Sequence, residues 1–68
     1  MISWVILKTD NGIEYLNLNT ANRIILNERH HEYTIEYNNG RVVIKQDVNP
    51  ATYAHITAYL GEMELPQA

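Results

Sequence analysis

The sequence contains no cysteine. A disulfide framework, a Cys-based zinc knuckle and a thiolate nucleophile are therefore excluded. It has a single serine, Ser3, at the extreme N-terminus. No Ser/His/Asp order, phosphate-cradling glycine loop or HExxH-type pair occurs. No apolar run approaches the roughly 18 residues that a membrane-spanning helix needs. The apolar stretch Trp4 to Leu7 has neither a basic flank nor a small-residue cleavage site, so no targeting segment, no membrane association and a cytoplasmic location are expected. Basic surplus is also missing. Five Lys and Arg face eight Asp and Glu, a net charge of -3, which argues against a nucleic-acid backbone as the main partner.

What is present describes one small globular domain. The 68 residues are 46% hydrophobic and 19% charged, a balance that supports a packed core. A domain of this length buries only about 60% of its unfolded surface, and net stability of roughly 3–5 kcal/mol is expected. Small domains in this position gain stability from disulfides, a metal or a second subunit. With disulfides excluded, self-association is the expected route.

Turn residues divide the chain. Asp10-Asn11-Gly12 and Asn38-Asn39-Gly40 each separate two apolar segments, and Asn and Gly suit the positive φ of primed hairpin turns. Glu28-Arg29-His30-His31 is a third, glycine-free break, read as a longer or bulged loop. Between the breaks lie five strand-like segments: Ser3 to Thr9, Ile13 to Asn17, Arg23 to Asn27, Glu32 to Tyr37 and Arg41 to Gln46. The fourth alternates cleanly, with Tyr33, Ile35 and Tyr37 on one face and Glu32, Thr34 and Glu36 on the other, the pattern of a half-buried antiparallel strand. Leu18 to Asn22 reads as a single helical turn or an irregular crossover.

The period changes after Val48. Asn49 suits an N-cap and Pro50 the first helical position, with Val48 and Tyr53 spaced as a hydrophobic staple. Tyr53, Ile56 and Leu60 mark one face of a helix from about Pro50 to Leu60, ended by Gly61. The domain is expected to span 1–61, with 62–68 as a loose tail. The fold class is mainly β: five antiparallel strands in a bent sheet or small SH3-like barrel, closed by one C-terminal helix. The expected core is Val5, Leu7, Leu16, Ile24, Leu26, Ile35, Val42, Ile44, Tyr53, Ile56 and Leu60.

Candidate chemistry is sparse. His30, His31 and His55 are the only metal-like set, but neighbouring histidines on a strand point to opposite faces, and no metal or other cofactor is expected. No carboxylate or His–carboxylate pair falls where a pocket would shift its pKa, so no enzyme is expected. The frequent asparagines, among them Asn17, Asn19, Asn22 and Asn27, fit turn and strand-end chemistry. The aromatic residues are more informative. Trp4 and Ile6 have the opposite parity to Val5 and Leu7, so the first strand is apolar on both faces. A chain this short cannot cover both, and exposed apolar patches mark interfaces. A self-association surface through Trp4, Ile6, Tyr15, Tyr33 and Tyr37 is expected, since Trp and Tyr suit interfaces. The alternative is a nucleic-acid-binding face using Arg23, Arg41 and Lys45 beside stacking tyrosines.

The order of these segments resembles the FlbD-like family of small flagellum-associated β proteins. The similar elements are Ile6-Leu7-Lys8-Thr9, Asn11-Gly12, Tyr15-Leu16-Asn17, Ile24-Ile25, Tyr33-Thr34-Ile35, Asn39-Gly40, Val42-Val43 and a final short helix. Leu18-Asn19 stands where the family has a proline, and Asn49-Pro50 opens the helix in place of an acidic stretch. The resemblance implies a small β fold and a non-enzymatic regulatory role.

Overall fold

Two hairpins and a helix organise the chain in the computed structural model, which describes residues 3–63. Strands β1 (Trp4–Thr9) and β2 (Gly12–Asn17) form the first antiparallel hairpin. Strands β3 (Arg23–Asn27), β4 (Glu32–Tyr37) and β5 (Gly40–Lys45) form an antiparallel three-stranded sheet in sequence order. Helix α1 runs from Pro50 to Met63. The class is mainly β with one C-terminal helix. The five strands form two separate ladders, and among the described residues they do not close into a barrel.

Both short turns sit one residue earlier than their Asn-Gly pairs suggest. Thr9 pairs with Gly12 and Tyr37 with Gly40, so the loops are Asp10-Asn11 and Asn38-Asn39. The asparagines keep negative φ, while Gly12 and Gly40 take φ of 139° and 147° as the first strand residues. The twist is therefore corrected after the loop, in a region that a Cβ disfavours. Gly61 differs. It lies inside α1 without positive φ, and an added Cβ meets nothing within 4 Å. Gly40→Ala is expected to cost about 1–3 kcal/mol. Gly61→Ala is expected to stabilise by about 0.5–1 kcal/mol. Urea denaturation of the two variants should move the midpoint in opposite directions.

The crossover explains the two ladders. Leu18–Thr20 forms one 3-10 turn. Its first N–H donates to the Ser3 carbonyl (2.7 Å), and four residues later the Asn22 N–H donates to the Glu36 carbonyl (2.8 Å). Five residues thus carry the chain from the end of one ladder onto the other, and Leu18 is buried on the way.

Period-2 alternation then assigns the faces. The inner face of the larger sheet carries the cross-strand rows Ile24–Ile35–Val42 and Leu26–Tyr33–Ile44. Val5 and Leu7 face this layer from the first hairpin, and Ile56 and Tyr59 from the helix, to complete the core. Leu16, Ile24, Val42, Tyr53 and Leu60 are partly buried against it. Leu26 was expected inside and is exposed, because α1 packs on β1 and β5 and leaves the β3 side uncovered. Tyr59 and Tyr33 replace it in the core. Helix α1 is rotated relative to the Tyr53–Ile56–Leu60 stripe, so that Thr52, Ile56 and Tyr59 point inward. Polar handles make this possible: the Tyr59 hydroxyl donates to Asn19 Oδ1, and the Tyr33 hydroxyl hydrogen-bonds Thr57 Oγ1 at 2.8 Å. Tyr53 packs on Tyr33 with ring centroids 4.8 Å apart. Val48, expected to staple Tyr53, is exposed. The helix continues through Gly61 to Met63, so Glu62 and Met63 belong to it, and the rest of the expected tail, 64–68, lies outside the described residues.

Candidate interaction surface

The outward face of the first hairpin follows from how firmly its inward face is held. Val5 and Leu7 are buried, the Ser3 carbonyl accepts the Leu18 N–H, and the Ile6 carbonyl accepts a hydrogen bond from the buried Thr52 hydroxyl of α1. Residues 4, 6 and 8 must then point the other way. The register places Trp4 opposite Asn17, Ile6 opposite Tyr15 and Lys8 opposite Ile13. Trp4 (54% exposed), Ile6 (50%), Ile13 (56%) and Tyr15 (64%) therefore share one solvent-facing surface. Its one charged member is Lys8, at the turn end.

Clefts flank this surface on both sides. Toward the helix, one of about 340 Å³ lies between Trp4, Ile6 and His55, and another between Ile6, Lys8 and Val48. Toward the second sheet, Trp4 and Tyr15 face Tyr37, Gly40 and Arg41 across a cleft of about 450 Å³.

The expected interface residues therefore separate. Trp4, Ile6 and Tyr15 lie together. Tyr33 is 2% exposed and belongs to the core, because the helix covers its end of β4. Tyr37 lies between, lining the larger cleft while its hydroxyl donates to the Asn17 carbonyl at 2.9 Å. Ile13 was not singled out from the sequence, although its i, i+2 spacing to Tyr15 was the available signal.

Burial holds the Tyr37 phenol above its ordinary pKa. The unfolded chain then loses this proton first as pH rises. The corresponding stability is complete below about pH 10 and declines as pH climbs from there toward the folded pKa. Tyr37→Phe is expected to cost about 1 kcal/mol at neutral pH through the lost hydrogen bond and to show a smaller further loss above pH 10. Urea midpoints of both proteins across that range check this.

Arg23, Arg41 and Lys45 do share a face, the outer side of the larger sheet. Acids are interleaved there. Glu36 lies between Arg23 and Arg41 in the cross-strand row and receives Arg23 through both carboxylate oxygens, at 3.0 and 3.3 Å, while Glu32 lies opposite Lys45. His30 and His31 occupy the β3–β4 loop and His55 the helix. Among the described residues no three His, Cys, Asp or Glu side chains are grouped to hold a metal ion, and no helix is long and apolar enough to cross a membrane. Comparisons with family models, curated proteins and solved structures find no match to this chain.

Proposed function

We propose that this chain is a non-enzymatic interaction module that self-associates through the face of Trp4, Ile6, Ile13 and Tyr15. The supporting observation is four large apolar side chains, each at least half exposed, on two adjacent strands. Together they offer an apolar area on the order of 400–500 Å², the upper range of patches on monomers and often a functional one. A second copy is the fitting occupant. The patch is apolar and nearly uncharged, so it complements itself, and no charged group need be desolvated at its centre. It supplies about half of the roughly 800 Å² per partner of a standard interface, so weak association in the micromolar range is expected, with rim contacts adding the rest. Sedimentation velocity from low micromolar to millimolar concentration tests this. A rise in mean mass with concentration supports it, and a monomer throughout rejects it.

We read the two ladders, bridged by α1 at β1 and β5, as an opened SH3-like arrangement. The residue order similar to FlbD-like proteins supports a regulatory rather than catalytic role.

The second reading is a nucleic-acid-binding regulator, favoured by the common face of Arg23, Arg41 and Lys45. The interleaved Glu32 and Glu36 weigh against it. Salt-dependent RNA or DNA binding that is lost in Arg23→Ala and Arg41→Ala would support it.

A further inference from the structure

The three-stranded sheet ends at β5, which among the described residues has a strand partner on one side only. Its opening residues, Gly40 to Val42, line the cleft of about 450 Å³ opposite Trp4 and Tyr15. Three features converge there. An unpaired strand edge offers backbone donors and acceptors to an added strand, and Gly40 keeps the approach open, since even an added Cβ would meet nothing within 4 Å. Trp4, Tyr15 and Tyr37 supply aromatic walls, and Asn39 also lines the cleft. Among the described residues, Arg41 is the one charged residue in the lining. It makes no ion pair among the described residues, because Glu36, its cross-strand neighbour, is already engaged by Arg23.

We propose that this cleft binds an extended peptide segment running beside the start of β5, with an aromatic or prolyl side chain over Trp4, Tyr15 and Tyr37 and a carboxylate on Arg41. Charge selects the ligand class. One free guanidinium matches one carboxylate, whereas a nucleic acid brings a phosphate with every nucleotide to a chain of net charge -3. The size of the cleft suits one or two side chains of a peptide, not a folded domain. The cleft shares Trp4 and Tyr15 with the self-association face, but Tyr37 and Arg41 line the cleft alone and Ile6 lies on the self-association face alone, so variants at these positions tell the two apart.

Trp4 is the sole tryptophan and lines the cleft, so at a fixed, low protein concentration its emission follows peptide occupancy. The probe is a random dodecapeptide library displayed on phage, selected on the full chain. The best binder, made synthetically, is then titrated against Trp4 fluorescence. Selected peptides should carry Asp or Glu near a proline or aromatic residue. Arg41→Gln, or Glu→Gln in the peptide, should weaken binding about three- to tenfold and leave the sedimentation behaviour unchanged. Ile6→Glu should retain peptide binding even where self-association is lost. The proposal is overturned by an absence of selected binders, by binders without an acidic residue or indifferent to Arg41→Gln, by loss of peptide binding in Ile6→Glu, or by tighter binding of an oligothymidylate than of the peptide.

Discussion

Ile35→Ala is expected to leave a large fraction of the chain unfolded at 25 °C. Ile35 is fully buried at the centre of β4, between Ile24 on β3 and Val42 on β5. Removing a buried isoleucine to alanine costs about 2–5 kcal/mol through lost transfer energy and the cavity left behind. A domain of this size holds only about 3–5 kcal/mol in reserve. The site also relaxes poorly, because its two lateral neighbours are held by strand pairing and Ile44 and Ile56 are themselves fully buried. Val43→Ala, one strand away on the exposed outer face, should change stability by no more than about 0.5 kcal/mol. Urea titrations followed by circular dichroism at one low protein concentration make the comparison. An Ile35→Ala midpoint close to that of Val43→Ala would contradict the packing described for the inner row.

Ile6→Glu is expected to abolish self-association while leaving the fold intact. The side chain lies at the centre of the hairpin's outer face, beside Tyr15 and between Trp4 and Lys8, and is half exposed in the single chain. A glutamate there costs the monomer little. In a contact between two copies it would place an uncompensated carboxylate against apolar surface, and where two-fold symmetry brings the copies together, two carboxylates near one another. Such a change at the centre of an interface is worth at least about 2 kcal/mol, or some thirtyfold in dissociation constant. Sedimentation equilibrium and circular dichroism together check it: monomeric sedimentation with an unchanged spectrum is expected. Association equal to that of the parent chain would remove this face from consideration.

Much of the local structure was legible because it depends on neighbours in sequence. The two glycine turns, the clean alternation of Glu32 to Tyr37 and the Asn49-Pro50 helix start locate the elements within a few residues of where they lie. The turn geometry was less legible. Positive φ fell on the glycines after the loops and not on the asparagines inside them, since Gly bears that conformation at no side-chain cost. Gly61 resembles a helix stop in isolation, yet the helix runs past it. Within the candidate surface, the parity of Trp4 and Ile6 was readable from one strand. The juxtaposition of Ile13 required the register across the turn, and the approach of Tyr37 and Arg41 required the packing of one hairpin on another.

Strand positions and the outward parity of Trp4 and Ile6 are properties of residue order, because backbone alternation and turn chemistry act over a few residues. Tertiary packing decided that five strands divide into two ladders, that Tyr33 and Tyr59 enter the core while Leu26 remains outside, and that Arg41, without an ion pair among the described residues, stands beside three aromatic rings. Those outcomes depend on where the crossover at Leu18–Thr20 delivers the chain and on which strands the helix covers. They also depend on whether a tyrosine hydroxyl finds a partner such as Asn19 or Thr57, which is set by residues distant in sequence and close only after folding.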